Sequence, residues 1–227
     1  HNRMKEQNEE KNLEVSGIIT KTEQYIEKNK KKLITCACVV VGVAIIAFAY
    51  VKLYAQPHQK RAAEEMFAAE QWFNQGDYEK ALNGTDDFLG FTDVISQYKC
   101  TKSGNLAKYY AGICQLNLGN YSDAIDLLKS YKGKDVFTAP EALMLIGDCY
   151  AEMDNASEAC NYYEKAAKKA TKNFAVAPAA LWKAGMMQLK LEKKDAAIKF
   201  FQQIKDNYPE SPEWSEVDKY ISYAENM

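Results

Sequence analysis

The sequence predicts an all-α chain: one N-terminal membrane-spanning helix followed by a stack of helical hairpins. Three observations predict it. The composition favours helix, with only 5 prolines and 11 glycines among 227 residues, 47% hydrophobic and 26% charged. Leu33–Val51, "LITCACVVVGVAIIAFAYV", carries no charge over 19 residues. The phrase "QGDYEKAL" at Gln75–Leu82 returns as "LGNYSDAI" at Leu118–Ile125.

Taking the elements in order, residues 1–32 form a short polar tail. Val15, Ile18, Ile19, Tyr25 and Ile26 are spaced so that either an amphipathic helix on the membrane surface or a simple polar lead-in fits. The apolar run then spans about 28 Å as a helix, close to one bilayer core. Lys52 can snorkel, and Tyr50 and Tyr54 stand where interfacial aromatics belong, so the spanning segment is placed at 33–55. Lys28, Lys30, Lys31 and Lys32 crowd its N-terminal flank, whereas Lys52, Lys60 and Arg61 on the other side are dispersed. The positive-inside rule keeps the tail in the cytoplasm and exports residues 56–227.

In the exported part, self-similarity sets the register. Ala81, Ala124, Ala159 and Ala197 occupy one slot, at spacings of 43, 35 and 38 residues. Twelve residues before each alanine stands another small residue: Ala69, Gly112, Gly147 or Gly185. Three residues after those come Trp72, Gln115, Tyr150 and Gln188, and four residues after the alanines come Thr85, Leu128, Tyr163 and Phe201. Small residues on both helices of a hairpin allow close approach, and the large ones fill the space beside them. Gly76 and Gly119 suit a left-handed turn after the first helix, and Asp77 and Asn120 can cap the second.

First helices are expected near 58–75, 104–118, 140–153 and 178–191, and second helices near 77–91, 121–132, 156–170 and 194–207. Pro140 and Pro178 are placed at first helical positions. "SPEW" at Ser211–Trp214 opens a last helix with a serine cap, which covers the exposed face of the final hairpin. The long first spacing implies an insertion near "FLGFTDVISQYKCTKSG".

These slots resemble the tetratricopeptide repeat, a helix–turn–helix of about 34 residues. The resemblance covers residues 62–98, 105–138, 140–173 and 178–210, with a cap at 211–226, and implies a right-handed α-solenoid. It departs from the family pattern at Gln115, Gln188 and Thr85, and the turns at Asp154-Asn155 and Glu192-Lys193 lack glycine. In such repeats the first helices line an inner groove. Carried over, the inner face of the first unit includes Met66, Glu70, Phe73 and Asn74, and that of the second Tyr109, Ile113, Leu116 and Asn117. The third contributes Met144 and Asp148, and the fourth Trp182, Met186 and Leu189. Flexible Met and aromatic side chains suit an unfolded or apolar polypeptide segment. Met and aromatic residues at helical spacing are more often ordinary core, and both readings stand open here. The lysine and asparagine clamp that some relatives use for carboxylates is not matched, since Met66, Glu70, Tyr109 and Ile113 hold those places.

Enzymatic chemistry finds few carriers. The only histidines are His1 and His58, outside the repeats as read here. No phosphate loop, nucleophile elbow or zinc-spaced cysteine pair is present, so no cofactor and no metal is expected. The net charge of −2 and the lack of a basic stripe speak against nucleic acid. Cys149 and Cys160 face a choice between packed thiols and a redox pair, with packing preferred.

The layout of short tail, single span and exported repeats is similar to the YfgM-like ancillary translocon subunits of Gram-negative inner membranes. That resemblance implies an adaptor beside the Sec channel, with channel subunits and a membrane-anchored periplasmic chaperone or isomerase as partners. A cell-envelope scaffold for division or outer-membrane assembly, and a thiol redox protein, are the alternatives.

Overall fold

The computed structural model describes the backbone of residues 2–227 and the side chains of residues 23–227. Two compact units divide at Pro57 and His58. The tail side chains Val15, Ile18 and Ile19 lie outside the described side chains.

The first unit is helix α1 (Asn2–Tyr50) and a π-helical turn at Val51–Ala55. Among its described side chains, the large apolar ones, such as Val40, Ile46, Phe48 and Leu53, are exposed. The uncharged stretch from Leu33 to Val51 is apolar on every face and is not buried in the described structure, unlike a globular core helix. The stretch is long and apolar enough to cross a bilayer, with a mean hydropathy of 2.6. Tyr50 stacks on Tyr54 at 5.4 Å.

The second unit is built from hairpins. Helix α2 (Gln56–Asn74) is followed by α3 (Tyr78–Asn83) and α4 (Phe91–Gln97). Three regular pairs follow: α5 (Lys102–Asn117) with α6 (Tyr121–Ser130), α7 (Thr138–Glu152) with α8 (Ala156–Lys169), and α9 (Val176–Lys190) with α10 (Lys194–Asn207). A 3₁₀ turn at Pro212–Glu216 leads into α11 (Val217–Glu225).

The small slots do what close packing requires. Ala69, Ala81, Ala124, Ala159 and Ala197 are fully buried. Against Gly112, Gly147 and Gly185 lie the side chains of Leu128, Tyr163 and Phe201, so near that a methyl group at any of the three would stand 2.5–2.6 Å from them. Each burial of this size contributes about 1.5–3 kcal/mol. At the C-terminal end, Val217 and Ala224 of α11 join Phe201, Ile204 and Tyr208 in one core, which closes the apolar face of the last hairpin.

All four hairpin turns share one geometry. Gly76 (φ 78°), Gly119 (φ 81°), Asp154 (φ 60°) and Glu192 (φ 57°) are left-handed. The next residue's N–H reaches back to the carbonyls of Trp72, Gln115, Tyr150 and Gln188, each at 2.9 Å. This is the Schellman arrangement, and it persists where glycine is absent. Asp77 and Asn155 cap the following helices by accepting from Lys80 N and Glu158 N. Asn120 takes the capping position but turns its amide to Gln115 Oε1 at 2.7 Å.

Several expectations need correction. The second helix of the first hairpin does not run to residue 91. It stops at Asn83, because Gly84 turns left-handed at φ 75°, and the chain re-forms as α4. Phe91 of α4, fully buried, supplies the bulk that Thr85 lacks. Pro140 and Pro178 are buried inside the first turn rather than at its first position, since α7 and α9 begin two residues earlier. Proline is tolerated there because the first-turn N–H groups have no intrahelical partner. Ser211 precedes Pro212 as expected, but its hydroxyl makes no cap bond.

A candidate peptide-binding groove

The groove is assembled from the C-terminal halves of the first helices. Leu116 and Asn117 come from α5, Asp148, Ala151 and Glu152 from α7, and Trp182 and Met186 from α9. Together with Tyr121 and Tyr163 they line an open cavity of about 720 Å³. Met186 also borders a second hollow of about 570 Å³, completed by Leu189, Lys190 and three residues of α11: Lys219, Tyr220 and Tyr223.

Thus Leu116, Asn117, Asp148, Trp182 and Met186 converge as the register expects, and Leu189 lines the adjoining hollow, where it is largely buried. Others are placed elsewhere. Met66 is 3% exposed and Tyr109 6%, because they fill the wedge between neighbouring hairpins. Burial first, then the nearby Glu141 charge on α7, raises the Tyr109 hydroxyl pKa. Phe73 sits in an aromatic cluster with Tyr78, Phe91 and Tyr110. Ile113 and Met144 pack, half-buried, between helices. Glu70, of the first hairpin, is half-buried, and desolvation raises its pKa, whereas Asn74 is exposed. Neither residue lines the cavity.

The floor of the cavity is a polar triad. Asp148 accepts from Tyr163 Oη at 2.7 Å and from Lys183 Nζ at 2.5 Å. The Lys183 ammonium also stands 5.6 Å from the centre of the Tyr163 ring. Burial first, then the Asp148 charge, raises the Tyr163 pKa, so this phenol stays a donor. Lys183 was not among the sequence candidates because it lies one residue beyond the inward-facing Trp182. Tyr220 and Tyr223 were missed because they belong to the cap, whose spacing of three residues puts both on one face. Across the triad, Glu152 receives a long bond from Tyr121 Oη at 3.5 Å.

The two cysteines singled out by the sequence are packed in the interior. Cys149 and Cys160 are buried and unpaired, and desolvation pushes Cys149 up to about 11 and raises Cys160. Thiolate is therefore scarce at neutral pH. Gln188 Nε2 donates to Cys160 Sγ at 3.0 Å, which gives this glutamine a partner in the slot that Trp72 and Tyr150 fill with aromatic rings. Among the described residues no group of His, Cys, Asp and Glu could hold a metal ion.

A family model for the tetratricopeptide repeat matches residues 106–135, 141–172 and 179–211. These are the three regular hairpins. Those three segments are what is similar to the tetratricopeptide repeat. The first hairpin, with its divided second helix, lies outside the matched segments. Among solved structures, the chain is similar to nearly identical TPR-like repeats assigned to a kinesin light chain of Podosopora anserina, with a TM-score of 0.55. The likeness covers 74% of this chain and 87% of that one at 13% identity, and so concerns the fold. Curated proteins offer no match. Repeats of this kind imply a protein–protein interaction scaffold over the matched hairpins.

Proposed function

We propose that the chain is a single-pass, membrane-anchored adaptor whose exported repeat domain holds apolar polypeptide segments beside a Sec translocon. There it assists newly exported proteins together with a membrane-anchored periplasmic chaperone or isomerase. The observation that carries the reading is the groove in which Leu116, Trp182 and Met186 form the apolar part of the rim, above the paired Asp148–Lys183 floor. An apolar rim with a paired floor accepts varied sequences without burying an unpaired charge. The uncharged Leu33–Val51 run and the lysine asymmetry around it support the anchor and its direction. Tethering raises the local concentration of the groove where polypeptide emerges.

Photo-crosslinking from Met186 in intact cells tests this reading. Adducts with channel subunits and nascent exported chains are expected, and capture of division or outer-membrane assembly proteins alone would replace it with an envelope scaffold. Direction is checked separately. Cys100 is exposed, so an impermeant maleimide should label it in spheroplasts without lysis. Labelling only after lysis would place the repeats in the cytoplasm.

A further inference from the structure

The connections between hairpins form a basic, aromatic edge that the groove does not use. They are stitched to one another. Gln59 Oε1, in the first turn of α2, accepts from Lys102 N at 3.0 Å, and His58 packs on Tyr98 at 4.9 Å. Asn105 of α5 bonds Lys132 through both its side-chain atoms, at 3.0 and 3.2 Å. Asn173 Nδ2 in turn donates to Val136 O at 2.9 Å. Residues 98–102, 131–138 and 168–175 therefore lie along one continuous border.

The border differs in charge from the rest of the unit. Residues 98–102 contribute Lys99 and Lys102, and residues 131–138 contribute Lys132 and Lys134. Lys168, Lys169 and Lys172 follow, with Lys168 paired to Glu164. The one carboxylate within the three segments is Asp135, whose oxygen accepts from Phe137 N at 2.9 Å and Thr138 N at 2.6 Å. It is committed to holding the loop, and the loop so held displays Val136 at 58% and Phe137 at 61% exposure. Phe174, at 68%, does the same in the next connection. The fourth connection carries Glu210 and no lysine between Tyr208 and Ser211, so the patch ends there.

We propose that this edge docks on an anionic lipid surface, with Val136, Phe137 and Phe174 at headgroup depth and the lysines on the phosphates. Lysines flanking exposed aromatics are the composition of a membrane-interface contact rather than of a protein groove. The bilayer is also within reach. The chain enters the repeat unit at this same edge, at His58, only seven residues after the apolar run ends at Val51. Seven residues span about 10 Å as helix and about 25 Å fully extended. The inference rests on the anchor in the proposed function and is independent of the Sec channel. Docking fixes the tilt of the solenoid, and with it the direction in which the groove opens.

The test uses the full chain with Cys36, Cys38 and Cys100 replaced by alanine, and a spin label at Val136→Cys. It is reconstituted into phosphatidylcholine vesicles with or without a third of phosphatidylglycerol. In anionic vesicles, accessibility of the label to a water-soluble nickel chelate should fall several-fold, and oxygen accessibility should rise. A label at Ser122→Cys, exposed beside the Gly119 turn, should stay aqueous in both. Lys132→Glu, Lys134→Glu and Lys172→Glu together should return the Val136 label to water, with the helical circular dichroism retained. Equal nickel accessibility in the two vesicle types overturns the proposal, as does an equal shift at Ser122. Alkaline carbonate washing separates the two readings. A chain that resists washing while Val136 stays aqueous defeats the edge alone, and a chain that washes off defeats the anchor and this inference with it.

Discussion

The ring of Tyr163 lies against Gly147 so closely that a Cβ there would stand 2.5 Å from its Cε1. The ring cannot swing away, because its hydroxyl is bonded to Asp148 at 2.7 Å. Gly147→Ala should therefore destabilise the repeats despite the gain of about 1 kcal/mol in helix propensity. Overpacking of this kind costs about 1–3 kcal/mol. Gly112→Ala meets Leu128, an unanchored and more adaptable side chain, and should cost less. Urea midpoints of the two variants check the ranking, and a Gly147→Ala chain as stable as the parent would show that the ring can shift.

The left-handed turns predict the opposite sign. Glu192 holds φ 57° without a glycine, in the same hydrogen-bonded turn that Gly76 and Gly119 form freely. A side chain in that region costs about 1 kcal/mol. Glu192→Gly should raise stability by about 0.5–1 kcal/mol, and Gly119→Ala should lower it by a similar amount. Thermal melts of both variants measure this directly. Asp154→Gly is the less clean experiment, since it also removes the 2.5 Å pair with Lys190.

Why the repeat was legible and the groove only partly so follows from these same residues. Small slots such as Gly147 and Ala159 are dictated by backbone approach, which leaves few choices and a readable period. The break after Asn83 was hidden, because "NGT" interrupts a pattern whose alanine slot is intact, and the replacement bulk, Phe91, comes from six residues beyond Thr85. Inner-face positions carry less information. Met66 and Tyr109 occupy inner register positions, yet both close the wedge against the next hairpin, which depends on the angle between hairpins. The contribution of α11 to the second hollow follows no repeat at all. The basic edge was missed for a related reason: its lysines are scattered over three connections, and only hydrogen bonds between those connections gather them.

Alkaline pH should destabilise the repeats through the buried thiols. Burial pushes Cys114 up to about 12 and Cys149 up to about 11, from ordinary values near 9. With folded values above unfolded ones, the fold favours the protonated thiol. That stability is complete below pH 9 and is lost as the pH rises toward 11 and 12. The raised tyrosines, Tyr109 and Tyr163, add to the loss above about pH 10. Urea midpoints should fall steadily from pH 9 to pH 11. Cys114→Ala should flatten part of that fall while lowering stability at neutral pH, and an unchanged slope would mean that the thiol is not protected in the fold.

Trp182 separates packing from binding. Its ring centre stands 5.3 Å from Phe201 of α10 and 4.7 Å from Tyr220 of α11, so it joins the last hairpin to its cap while one side borders the groove. Trp182→Ala should therefore cost about 2–4 kcal/mol, at or below the usual range for a large aromatic because the ring is only half-buried. The loss should appear first in α11, whose amides should exchange faster than those of α7 and α8. Met186 shares the cavity and packs only partly on the core, so Met186→Ala should leave the α11 amides protected while reducing crosslinks from a neighbouring groove position such as Asn117. If Trp182→Ala instead abolished crosslinking with unchanged α11 exchange, Trp182 would be a partner contact rather than the pin of the cap.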